Sequence, residues 1–284
     1  MRILLPTVLL AAFATSPFAQ DPAESEEPGF EIAASSDWDQ LIGIYKAAHG
    51  GAERYDGVDY VSFDWTVFNV DPETGEDVPS NTRRVQMRFR DIPDQELVRS
   101  LRIDETVQVR LDNELRDVVL VTLLTEESLK VFRKTGGDQY QELTNSKDLR
   151  LSQSVDSKAL FAQLDLLLHL DSRDLRGQYR GLMKRNDKEY IAVETSFRPG
   201  REVPEPSRLY FDTSTALIER IDIFDPKTKR RTGTTLVEGY KDHDGIKFPE
   251  RFVAHDREMK RLGGWQIANF EVNPETPQEV FLKP

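Results

Sequence analysis

The feature that most constrains this chain is its C-terminal third, where short apolar–polar alternations follow one another roughly 8 to 14 residues apart, each bounded by turn residues. Tyr179 to Met183 and Tyr190 to Ser196 flank the turn Arg185-Asn186-Asp187-Lys188. Arg208 to Asp212 leads through Thr213-Ser214-Thr215 into Leu217 to Phe224. Asp225-Pro226-Lys227-Thr228 turns into Thr232 to Tyr240, and Asp242-His243-Asp244-Gly245 turns into Lys247 to His255. Gly263-Gly264 is predicted to turn into a last strand, Trp265 to Val272. Connections this short leave no room for crossover helices, so the strands must pair antiparallel.

The front half adds helix to the same theme. Ser36 is a predicted N-cap, with Asp39 three residues on. Trp38, Leu41, Ile42, Tyr45 and Ala48 then share one helical face, and Gly50-Gly51 stops the helix. In Val61 to Val67 the period switches to two. Asp71 to Gly75 is a turn; Val85, Met87 and Phe89 alternate with Arg84, Gln86, Arg88 and Arg90. Leu97, Leu101 and Ile103, then Val107, Val109 and Leu111, continue the pattern. The alternation implies antiparallel strands with one wet face. Val118 to Leu124 and Leu129 to Phe132 read as further strands before Gly136-Gly137. A second helix is predicted at 156–170, with Asp156 as cap and a Leu-rich face.

The N-terminus reads as an export signal. Arg2 precedes a short apolar run ending at Phe13-Ala14, and Ser16-Pro17-Phe18-Ala19 supplies the break and a small residue for cleavage after Ala19. The run is shorter than the roughly 20 residues that span a bilayer. The expected organisation is a signal peptide at 1–19, a disordered acidic leader at 20–35, and a single domain at 36–284 located in the periplasm, with no transmembrane segment. The chain has 284 residues, a formal charge of −12 and no cysteine. Removing Arg2 with the signal takes −12 to −13. Such a surface is repelled by phosphate backbones, which argues against nucleic acid as a partner. Without cysteine there are no disulfides, no thiolate metal sites and no lipid anchor on a thiol.

Enzyme chemistry finds little support. His49, His169, His243 and His255 form no HExxH or similar cluster, so no metal and no cofactor is expected. There is no GxSxG elbow and no phosphate-binding glycine loop. His49 reads as a helix C-terminal residue favoured by the dipole, His169 as a packed helix residue, and Asp242 to Gly245 as a hairpin turn rather than a calcium loop. His255-Asp256 has no nucleophile to pair with. Arg84, Arg88 and Arg90 read as a solvated strand face paired with nearby acids, the alternative being contact with a polar headgroup. No catalytic residue is assigned.

Leu209 to Arg220, Asp225-Pro226, Tyr240, Asp244-Gly245-Ile246-Lys247-Phe248-Pro249, Ala268 to Asn273 and the ending Val280 to Pro284 together resemble the exported outer-membrane lipoprotein-sorting-like (LolA/LolB-like) family. Ala48-His49-Gly50-Gly51 before an aromatic strand is similar to a branch with a His-Gly-Gly element. The resemblance implies an α+β fold, a strongly curved antiparallel half-barrel with helices packed in its concave side. It also implies a non-enzymatic carrier that shields the acyl chains of a lipid or lipoprotein. Candidate cavity-lining residues are Phe63, Trp65, Met87, Phe89, Val109 and Leu111; packed under the helices, the same residues make a dry core. The alternatives are an envelope scaffold or sensor with a protein partner, and a secreted hydrolase.

Overall fold

The computed structural model describes residues 38–90, 98–111, 114–125, 128–146, 167–168, 170, 175–197, 207–275 and 278–284. The signal peptide, the acidic leader, the Ser36 cap, His169 and most of the second helix expected at 156–170 lie outside the described residues.

Helix α1 (Trp38–Ala48) and the one-turn α2 (Ala52–Asp56) precede thirteen strands. These are β1 (Tyr60–Val70), β2 (Asp77–Arg90), β3 (Val98–Leu111), β4 (Glu114–Leu124), β5 (Leu129–Gly136) and β6 (Gln139–Ser146) in the first half. The second half holds β7 (Leu175–Arg185), β8 (Lys188–Phe197), β9 (Ser207–Asp212), β10 (Ile218–Phe224), β11 (Arg231–His243), β12 (Ile246–Asp256) and β13 (Arg261–Val272). A 3₁₀ turn (Gln278–Phe281) follows.

All thirteen strands form one antiparallel sheet in the order β6-β5-β4-β3-β2-β1-β13-β12-β11-β10-β9-β8-β7. The chain enters at the centre with β1, meanders out to β6, passes to the opposite edge at β7 and meanders back until β13 pairs with β1. The sheet is curved and open, with the helices against its concave face: the α+β half-barrel implied by the resemblance.

Strand alternation sorts the two faces. In the centre, the cross-strand row Leu101–Met87–Val61 and its neighbour Ile103–Val85–Phe63 fall on the concave side. Val193, Leu209, Ile221 and Val237 continue that side through the second half. Leu41, Ile42 and Tyr45 of α1, with Leu167, Leu168 and Leu170, fill the trough above them. Each large apolar side chain so buried contributes about 1.5–3 kcal/mol. The intervening residues face the convex side, where Tyr60 meets Phe281 at 5.7 Å between ring centroids. Arg102 holds that covering turn by donating to the carbonyls of Val280 (3.2 Å) and Lys283 (3.0 Å).

The structure departs from the sequence reading in three places. Gly263-Gly264 is not a turn. Both residues lie inside β13, opposite Asn69 and Phe68 of β1, and the turn is at Arg257 to Lys260. Gly264 is required because the Phe68 ring and the Phe252 carbonyl occupy the space a Cβ would take. The two apolar sets read at 97–103 and 107–111 are joined in one strand, β3, which runs from Val98 to Leu111; Leu97 lies outside the described residues. Helix α2 and strand β6 were not anticipated: α2 is too short to show a period, and Gln139 to Ser146 is nearly all polar because it forms an exposed edge.

Candidate functional site

Two sequence motifs meet in space. Helix α1 ends as the His49 N–H donates to the Tyr45 carbonyl (3.0 Å), after which Gly50 and Gly51 take φ of 110° and 105°. Such angles disfavour any side chain. Gly50 rests on the β11–β12 turn, where a Cβ would collide with the Gly245 carbonyl oxygen. The Lys247 N–H donates to the His49 carbonyl (3.3 Å). The turn is a hairpin, as expected, with Asp242 Oδ1 accepting from the Gly245 N–H (2.8 Å). The His-Gly-Gly element is therefore the foot by which the helical layer stands on the Gly245-Ile246-Lys247 hairpin.

The His49 ring points into the core. It is fully buried, with ring centroids of Tyr45, Tyr240 and Tyr55 at 4.0, 5.8 and 6.1 Å. Nδ1 lies 3.0 Å from the Tyr45 carbonyl, which only accepts, so the proton sits on Nδ1 and Nε2 is left without a partner. Burial pushes its pKa down to about 4, and the Lys247 charge works in the same direction against the raising effect of the Tyr45 hydrogen bond. His49 is thus neutral, and the expected charge–dipole role is not the one it plays. Its tyrosine neighbours tie each layer internally: Tyr45 and Tyr55 both donate to the Leu167 carbonyl (3.0 and 2.6 Å) in the helical layer, and Tyr240 donates to that of Ile218 (2.7 Å) within the sheet. Burial raises the pKa of Tyr45 and of Tyr240.

The candidate lining residues fall along the other half of the trough. Phe63, Trp65 and Met87 are buried in the concave core. Val109 is half-buried on the concave side of β3. Phe89 and Leu111 lie in β2 and β3, but their side chains are outside the described residues. The floor continues through half-buried Val107, Val118, Leu120 and Val131. Set into it, opposite Trp65, is an ion pair, Arg83 Nε to Glu105 Oε2 at 2.8 Å, with the guanidinium carbon 4.9 Å from the Trp65 ring centroid.

At the end of the trough beside α2, Glu53, Arg54, Gly57, Asp244, Ile246, Val272 and Asn273 line an open groove of about 450 Å³. Deeper in, Phe63, Phe270 and Phe248 form an aromatic stack with centroids 5.9 and 4.3 Å apart.

Arg84 pairs with nearby acids, as expected of this strand face. Arg84 reaches Asp64 (3.3 Å) and Glu271 (2.7 Å), and Arg88 lies over the rings of Tyr60 and Phe281. The side chain of Arg90 is outside the described residues. Further along this face, Arg220 and Asp222 form a buried pair at 2.7 Å, which Tyr210 and Thr234 complete by donating to the carboxylate. Among the described residues no group of three His, Asp or Glu is arranged to hold a metal, and no helix is long and apolar enough to cross a membrane.

Sequence reasoning missed the tyrosine cluster and Trp265. Tyr45 was read only as an apolar helix residue; its spacing of four from His49 was the available signal. Trp265 was placed at the start of a strand, whereas it lies inside β13 opposite Val67.

No family model matches the sequence, and no curated protein matches it significantly. Solved structures do. A DUF1329 family protein from Desulfovibrio piger is similar at a TM-score of 0.54 and 11% identity, covering 86% of this chain and 95% of the other. A LolA superfamily protein from Nitrosomonas europaea is similar at 0.53 and 13%, covering 86% and 96%. A putative outer membrane lipoprotein-sorting protein domain from Vibrio parahaemolyticus is similar at 0.51 and 9%, covering 85% and 94%. The chain has the fold of the LolA-like, lipoprotein-sorting proteins.

Proposed function

We propose that this chain is an exported, non-enzymatic carrier of the periplasm that shelters the acyl chains of a lipid or lipoprotein in the trough of its half-barrel. The observation that carries the reading is the apolar floor. It runs from the buried Phe63, Trp65 and Met87, past the Arg83–Glu105 pair, to half-buried Val107, Val109 and Val118. Phe89 and Leu111 belong to the same proposed lining. An apolar floor of this length accepts a chain with about 0.8 kcal/mol per buried methylene and no need for specific polar contacts.

The test is native mass spectrometry with lipid extraction on protein purified without detergent. A stoichiometric adduct of acyl-chain mass is the expected result. A clean apo mass, unchanged after incubation with phospholipid and lipopeptide, refutes the carrier reading and turns the search to protein partners.

A further inference from the structure

The centre of the trough holds buried N–H groups with nothing to accept them. Trp65 Nε1, Trp265 Nε1 and Arg83 Nε are all out of contact with solvent and lack a hydrogen-bond partner. Arg83 Nε is 2.8 Å from Glu105 Oε2, yet it is not aligned for a hydrogen bond, so the charges are balanced while the N–H remains unanswered. The three groups lie on adjacent strands, β2, β1 and β13. Arg83 is directly opposite Trp65, and Trp265, opposite Val67, is the diagonal neighbour of Trp65 across the β1–β13 pair. Cross-strand residues on one row share a face, so all three belong to the concave floor, and a diagonal pair is roughly 7 Å apart. Buried donors are nearly always paired in folded proteins, and leaving one unpaired costs about 1–3 kcal/mol. Three such unanswered donors on adjacent strands of one face call for an oxygen that accepts.

The chemistry of that oxygen is constrained. The Glu105 carboxylate beside them is already balanced by Arg83, so the unanswered groups are the N–H donors, and an amine or another pure donor would answer none of them. Arg83 and Glu105 cancel, so the site carries no net charge to reward a free carboxylate or a phosphate. A neutral carbonyl oxygen attached to an apolar chain meets both conditions. We propose that Trp65 Nε1, Trp265 Nε1 and Arg83 Nε form a recognition point for the ester carbonyl of an acylated ligand whose chain lies on the trough floor. This rests on the carrier reading and deepens it. The carrier reading requires only apolar area, whereas the ester point fixes where along the trough the chain begins and separates acyl esters from alkyl chains.

The test uses two probes that differ by one carbonyl: 1-monooleoylglycerol and its ether analogue 1-O-oleylglycerol. The whole protein should bind the ester about 5- to 10-fold more tightly, the ratio expected for one net hydrogen bond of about 1 kcal/mol or slightly more. In Trp65→Phe combined with Trp265→Phe, which keeps the rings and removes both N–H groups, the ratio should fall towards one while ether binding changes little. A second readout needs no substitution. The chain has three tryptophans. Of their indole N–H resonances, two should shift downfield on adding the ester and not the ether, while that of Trp38, packed at the far end of α1 beside Gly177, stays in place. Equal binding of ester and ether by the unaltered protein overturns the inference and leaves the carrier reading standing. Failure to bind either probe overturns both.

Discussion

Mild acid should remove a defined share of this protein's stability, and His49 sets its size. The groups that face the ring are Tyr45 from α1, Tyr55 from α2, Tyr240 from β11 and the Lys247 charge on β12; no carboxylate is among its perturbing neighbours. The folded pKa is about 4 against an ordinary value of 6.5. Between those values the unfolded chain binds a proton that the folded chain refuses. The contribution is therefore fully present above pH 6.5 and is lost as pH falls towards 4. The full difference of about 2.5 units corresponds to roughly 3 kcal/mol, of which about 2 kcal/mol is gone by pH 5. Carboxylates whose pKa the fold lowers, Asp71, Asp212, Asp225 and Glu194, act in the same direction but chiefly below pH 5, since their ordinary values are 3.8 and 4.5. Urea unfolding of the unaltered protein and of His49→Phe at pH 7.5 and pH 5 isolates the histidine. The unaltered protein should lose about 2 kcal/mol more than the variant over that interval. Parallel losses in the two proteins would refute the buried, neutral assignment, whatever the absolute stability of the variant.

Three further outcomes follow from other contacts. Gly50→Ala should cost at least about 2 kcal/mol in urea unfolding, from its positive φ and the collision with Gly245, whereas Gly43→Ala on the exposed face of α1 should add up to about 1 kcal/mol. Tyr55→Phe removes the donor to the Leu167 carbonyl and should cost about 1–2 kcal/mol, with faster amide exchange at Leu170, whose N–H faces the same hydroxyl. Asp222→Ala strands Arg220 without its carboxylate and should cost about 3–5 kcal/mol by thermal unfolding, while replacing both residues with apolar ones should cost less.

The strand pattern was legible because a one-sided sheet writes its faces into the sequence with a period of two. β2, with Val85 and Met87 inward and Arg84 and Arg88 outward, is the clearest case. The pattern failed where chemistry replaced hydrophobicity. β6 is an edge and needs no apolar face, and Gly263-Gly264 mimics a turn because neighbouring backbone carbonyls and the Phe68 ring exclude side chains there. The candidate floor was legible for the same reason as the strands: Phe63, Trp65 and Met87 alternate. What could not be read is proximity. The meeting of His49 with the Gly245 hairpin joins residues about 200 apart, and the donor cluster of Trp65, Arg83 and Trp265 depends on β13 closing beside β1, a pairing that no local pattern encodes.

That closing pair has a consequence for the order in which the chain becomes a protein. Every other neighbouring pair of strands is adjacent in sequence and forms as a hairpin, at little cost in chain entropy. Only the β1–β13 seam joins strands about 200 residues apart, so it is the slowest to form and the last. A chain emerging with its N-terminus first would hold β1 as a bare edge, apolar on one side, until its final strand arrived. The centre of the finished sheet is thus its most exposed part during assembly, and a chain cut short before β13 would leave two meanders with no seam to join them.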